Sequence, residues 1–265
     1  MLVHSRAGRA LVCGAFLLLA VPLFALPFLT VLAASFAKAW SGVLPSAFTT
    51  AHYADAAHGE SRDALFASLA TAGIAGVVAL AVGGWAALAA RNAGPRLGRL
   101  TDGLFMLPVA VPSVVVGLGL LVAFSRPPVL LNGTSTIVIL AHSVRVTAFA
   151  YQSVAAAASR LDPALEQAAA GLGARPARVL RRVTLPLLLP SLNAAFGLCF
   201  ALSMGELSIT MMLYPPGWLP LPVRIFAATD RGAVFTGAAL AVVLLASTLV
   251  VLIGCSRLRT RALYR

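Results

Sequence analysis

The sequence predicts an all-α, polytopic membrane protein with six transmembrane helices, and three observations carry that expectation. Of its 265 residues, 60% are hydrophobic and only 11% are charged, whereas a soluble domain needs roughly a quarter charged residues to cover its surface. The mean hydropathy is +0.94. Six apolar stretches are long enough, at about 1.5 Å of helix per residue, to cross a hydrocarbon core of about 30 Å. The whole chain, 1–265, is therefore expected to be a single transmembrane domain with one long loop over 159–185.

The first stretch, 11–36, follows a basic segment with Arg6 and Arg9. At about 26 residues it exceeds the roughly 7–15 of a signal-peptide core, so a retained span is expected. The second, 64–90, contains Gly83-Gly84, and the third, 103–124, contains Pro108 and Pro112. Neighbouring helices tolerate such interruptions in a membrane, and small residues let backbones approach closely. The remaining spans are expected at 135–158, 186–212 and 233–256. Between the first two lies a mixed segment, 37–63, whose aromatics suit a membrane interface. Residues 214–231, YPPGWLPLPVRIFAATDR, are too proline-rich for one regular helix and predict a folded turn or short re-entrant element.

The basic residues orient these spans. Arg6 and Arg9, then Arg91, Arg96 and Arg99, then Arg160, Arg175, Arg178, Arg181 and Arg182, then Arg257, Arg259, Arg261 and Arg265 all fall on one side. Lys38, Arg62, Arg126, Arg224 and Arg231 fall on the other, and Arg145 lies within a span. Fourteen against five predicts both termini and the 159–185 loop in the cytoplasm. The formal charge of +12 is thus a topology signal, and nucleic acid is not an expected partner; the lipid bilayer is.

Within the loop, Asp162-Pro163 is a helix start, a capping acid followed by proline where a missing N–H costs nothing. Leu165, Ala168, Ala169 and Leu172 then recur on one helical face, and Gly173 ends the helix. A second, basic helix over PARVLRRV is expected to lie against the membrane before Pro186 opens the fifth span. Periodicity alone leaves two readings open, a surface helix on anionic lipid or a docking element for a cytoplasmic partner.

The order of residues in this loop resembles the EAA loop of permease subunits in ABC importers. Gln167-Ala168-Ala169, three residues, Gly173, nine residues, then Val183-Thr184-Leu185-Pro186 match the pattern E-A-A, three residues, G, nine residues, I-x-L-P. Gln167 replaces the usual first glutamate, with Glu166 beside it, and Val183 replaces isoleucine. The resemblance implies a type I, MetI-like permease fold in a bacterial inner membrane. It implies an ATPase-coupling role for Glu166, Gln167, Ala168, Ala169, Gly173, Val183, Leu185 and Pro186. It further implies a cytoplasmic ABC ATPase dimer, a second permease and an extracytoplasmic solute-binding protein as partners. WSGVLPS (40–46), PSVVVGLGLLVAF (112–124), NGT (132–134) and the segment from SMGEL to ATDRG (203–232) are most similar to permeases of 2-aminoethylphosphonate importers. These share a branch with ferric-iron, thiamine and polyamine permeases; those solutes, sulfate and molybdate remain alternatives.

No ATP-binding motif is expected in this chain. A phosphate-binding loop needs G-x-x-x-x-G-K-[ST], and the sole lysine, Lys38, follows Phe36-Ala37. No cofactor is expected in this chain; ATP and Mg would be bound by the partner subunit. His4, His52, His58 and His142 are scattered and Cys13, Cys199 and Cys255 sit in apolar runs, so neither a catalytic nor a metal site is expected. A secondary transporter would show inverted repeats with matching broken helices, and none is evident. A scaffold would leave the loop a mere surface feature.

Polar groups inside the membrane are costly and tend to be functional. His142 and Arg145 fall in the fourth span and Glu206 in the fifth. Arg145 lies about 15 Å and Glu206 about 9 Å from the outer ends of their spans, a difference an arginine can bridge. They either pair for structural tolerance or line a translocation path.

Overall fold

A computed structural model describes residues 5–91 and 93–263; His4 and Arg265 lie outside them. The chain divides into two compact units, Met1–Ser61 with Ile225–Val243 and Arg62–Arg224 with Leu244–Arg265.

The first unit opens with α1 (Arg6–Ser35), whose Ser5 cap accepts a hydrogen bond from Gly8 N–H at 3.0 Å. None of its most apolar stretch is buried. The 37–63 segment is more ordered than its composition suggests. Strands β1 (Ala37–Ala39) and β2 (Ala47–Phe48) pair antiparallel, and a short helix, α2 (Ala51–Ala56), follows. Tyr53 and Ser35 share a hydrogen bond of 2.6 Å, and His52 reaches the Ala37 carbonyl at 3.1 Å, so α2 is tied back to the ribbon.

The remaining helices are α3 (Gly59–Arg91), α4 (Pro95–Ala110), α5 (Ser113–Ala123), α6 (Ser135–Ala158), α7 (Pro163–Gly171), α8 (Pro176–Val179), a π-helical turn (Leu180–Thr184), α9 (Leu185–Met204), α10 (Ser208–Leu213), α11 (Leu221–Asp230) and α12 (Val234–Leu263). Among the described residues five helical runs are long and apolar enough to cross a membrane, and α4 with α5 makes a sixth if taken as one bent span. The core of the second unit is α6, which buries Ile137, Val138, Ala141, Val146, Ala150 and Val154. Helix α3 closes on it at Gly83, where a Cβ would come within 2.8 Å of the Thr147 carbonyl and 2.9 Å of the Tyr151 nitrogen.

Three expectations need correction. The third span, expected over 103–124, is broken: α4 and α5 meet at 98°. Pro112 forces the residue before it out of the helical region, and Val111 is extended at φ −90°, ψ 134°. The fifth span, expected over 186–212, stops at Met204, with Gly205 as its cap and α10 a separate helix. The basic PARVLRRV segment is no separate surface helix; Pro176–Met204 runs on as 29 residues. Its π turn, in which Leu185 N–H reaches the Leu180 carbonyl, carries the helix past Pro186, whose ring would clash in a regular α-helix. The 214–231 segment, expected to be a folded turn or short re-entrant element and not one regular helix, is a turn at Pro215–Trp218 followed by the ten residues of α11, with Pro222 in its first turn.

Candidate functional site

Two groups of residues from the sequence are drawn together in the second unit. The first surrounds α7. Asp162 caps it by accepting from Ala164 N–H at 2.9 Å. At its other end Gly173 adopts φ +81°, Gly173 N–H donates to the Ala170 carbonyl and Ala174 N–H to that of Ala169. This pairing satisfies the last carbonyls and turns the chain sharply. No residue of α7 is buried. Leu165 is 49% and Leu172 91% exposed, and Ala168 is exposed between them. Gln167 is exposed too, whereas Ala169 is half-buried.

Glu166 fixes this helix to the rest. Its Oε1 accepts from Thr184 Oγ1 at 2.7 Å and from Arg91 Nη1 at 2.9 Å. The Thr184 hydroxyl holds its carboxyl below the ordinary range; partial burial opposes this, and Arg91 adds to the lowering. Arg91 ends α3 and Thr184 ends the π turn, so a single carboxylate joins three elements. Beneath it lies a cleft of about 590 Å³ whose lining includes Trp85, Ala170, Val179 and Leu180. Val183, Leu185 and Pro186 continue from there along the π turn into α9.

The second group lies where the two interrupted spans meet α6. Arg145 Nε is 2.7 Å from Glu206 Oε2, and its Nη1 donates to Ser113 Oγ at 2.7 Å. Ser113 is the first residue of α5 after the bend, and Glu206 sits in the break between α9 and α10. The other carboxylate oxygen, Oε1, accepts from Ile209 N–H at 3.1 Å and so starts α10. His142 is 2% exposed and bridges Ser203 at 2.7 Å and Thr210 at 2.8 Å. The Thr210 hydroxyl donates to the Glu206 carbonyl, which leaves it to accept from the ring. His142 thereby holds α6 against both sides of the break.

The sequence named Glu166, Arg145, Glu206 and His142 but missed Arg91, Thr184, Ser113, Ser203 and Thr210. Arg91 carried only a topology signal, and Ser113 gave itself away only by following Pro112. Among the described residues no group of His, Cys, Asp and Glu could hold a metal.

Residues 79–261 match the family described as binding-protein-dependent transport system inner membrane component. The chain belongs to this family. The permease is 46% identical over 261 residues, 98% of each chain, to PhnV of Salmonella typhimurium, a protein assigned by name to a 2-aminoethylphosphonate transport system as its permease. It is 34% identical over 188 residues, 65% of its own length and 71% of the other's, to the molybdenum transport permease ModB of Mycobacterium tuberculosis. Its fold matches a chain of the bacterial alginate ABC transporter, solved with a pentasaccharide-bound periplasmic protein, at TM-score 0.73 and 18% identity over 96% and 95% of the two chains. A chain of the MetNI methionine transporter matches at TM-score 0.63 and 17% identity over 75% and 94%. The permease is thus an all-α, multi-pass subunit of an ABC importer, as the EAA resemblance implied.

Proposed function

We propose that this permease forms the path for 2-aminoethylphosphonate in an ATP-driven importer, with ATP hydrolysed by a separate cytoplasmic subunit. The observation that carries the substrate is the 46% identity over 98% of both chains to PhnV. A second permease completes the path, and an extracytoplasmic binding protein delivers the solute. ATP and Mg belong to the ATPase dimer, which docks on α7. In support, α7 offers an apolar strip of Leu165, Ala168 and Leu172 to its surroundings while Glu166 anchors its other side. An exposed apolar strip on a rigidly held helix suits a groove in a partner protein. Arg145 lines the path, and Glu206 and His142 hold the break beside it.

The test is reconstitution of the permease with its ATPase and binding protein in liposomes. ATP-dependent uptake of labelled 2-aminoethylphosphonate, without uptake of molybdate or putrescine, is the expected result. Ala168→Glu and Gly173→Asp should each abolish co-purification of the ATPase while the spans remain inserted. Import of molybdate or putrescine in place of the phosphonate would overturn the substrate, and full ATP-driven uptake in both variants would overturn the docking.

A further inference from the structure

Arg145 and Glu206 are unequal partners, and the inequality says which end of a substrate this site reads. The side chain of Glu206 is 7% exposed and that of Arg145 is 31%. Each carboxylate oxygen of this nearly buried group already has a partner within the protein, one Ile209 N–H and the other Arg145 Nε. The guanidinium spends Nε on Glu206 and Nη1 on Ser113, and its Nη2 finds no hydrogen-bond partner among the described residues. A guanidinium tied down through Nε and Nη1 with Nη2 left over still presents planar donors that suit phosphate-like oxygens. Irregular backbone at membrane depth occurs where it is buried in protein or lines a cavity. Here the α4–α5 bend and the α9–α10 break both contribute a side chain to this one arginine.

From this geometry we infer that Arg145 binds the oxyanion end of the substrate, with Glu206 and Ser113 as positioning residues that aim its guanidinium. The inference rests on the phosphonate reading above and deepens it. Glu206 does not receive the substrate's ammonium group. The path therefore recognises organophosphonates as a class, and an amino group on the far end adds nothing at this point.

The experiment uses the permease–ATPase complex in nanodiscs without binding protein, and saturation-transfer proton NMR with three probes: methylphosphonate, 2-aminoethylphosphonate and ethylammonium. Both phosphonates should show transfer in the wild type and ethylammonium none. Arg145→Gln should remove both signals. Arg145→Lys, which keeps the charge without the fork, should weaken them by about tenfold, the size of one charge-assisted hydrogen bond. Glu206→Gln should weaken both phosphonates equally, since it loosens the guanidinium and not a cation site. Loss of transfer from 2-aminoethylphosphonate alone in Glu206→Gln would show that Glu206 reads the ammonium and would overturn the inference. So would unchanged transfer in Arg145→Gln, or no transfer to either phosphonate in a wild type that imports 2-aminoethylphosphonate. A wild type that imports no phosphonate at all overturns the substrate reading instead.

Discussion

Glu166 is the residue on which the 159–185 loop turns. It accepts from Thr184 and Arg91 most strongly when ionised, and those bonds hold its carboxyl below the ordinary range. A carboxylate with a depressed folded pKa contributes stability that is fully present above its unfolded value and is lost as pH falls through the folded one. Acidification below the usual carboxylate range should therefore release α7 from α3 and the π turn. Hydrogen exchange of the α7 amides should rise over that window in the wild type, and Glu166→Gln should exchange fast at neutral pH with little further change. Equal protection in the variant and the wild type at neutral pH would remove Glu166 from this role. The loop motif was legible because helix caps and glycine turns are local: Asp162 and Gly173 were readable in isolation. Arg91 was not, because the partner of Glu166 lies 75 residues away and nothing local marks it.

Helices show the same division between local and distant causes. Helix α6 fills its expected limits, 135–158, because no proline or glycine interrupts it. The third and fifth spans broke where the sequence carried warnings that hydropathy could not weigh. Pro112 sits in an apolar run and costs that run nothing in hydropathy, yet it bends the chain by 98°. Gly205-Glu206 ends α9 because the Glu206 carboxylate takes an N–H that a continuous helix would use. The Gly83-Gly84 pair was read as permission for close approach, and the structure separates its members. A Cβ at Gly83 would strike backbone atoms of α6, whereas at Gly84 the nearest atom would be Val154 Cγ2 at 3.9 Å. Gly83→Ala should lower stability by about 1–3 kcal/mol, since backbone cannot swing aside as a side chain can. Gly84→Ala should leave it unchanged or raised, because alanine is the better helix former by about 0.5–1 kcal/mol. Thermal unfolding of the two purified variants in detergent checks this, and equal melting temperatures would mean that α3 and α6 do not meet at Gly83.

Across the whole molecule, the apolar composition and the placement of arginine make one joint statement. Leu11, Phe16, Leu18, Leu19, Leu23 and Phe24 of α1 are all more than half exposed, which only a lipid surrounding makes tolerable. A chain in lipid must also choose a direction, and the excess of Lys and Arg in its short loops decides it. Each charge moved across a membrane potential of about 100 mV changes the free energy by roughly 2.3 kcal/mol, so the fourteen arginines on the loop side outweigh the five opposing charges. Both termini and α7 should then face the cytoplasm, and the β1–β2 turn should face outward. With Cys13, Cys199 and Cys255 replaced by serine, a membrane-impermeant maleimide should label Val43→Cys in spheroplasts. Val43 is 93% exposed at the tip of that ribbon, so access depends only on its side of the membrane. Ala174→Cys, just beyond α7, should react only after permeabilisation. The opposite pattern would place α7 away from cytoplasmic ATP and would end the docking reading along with the topology, because an ATPase can couple only to the face on which its nucleotide is found.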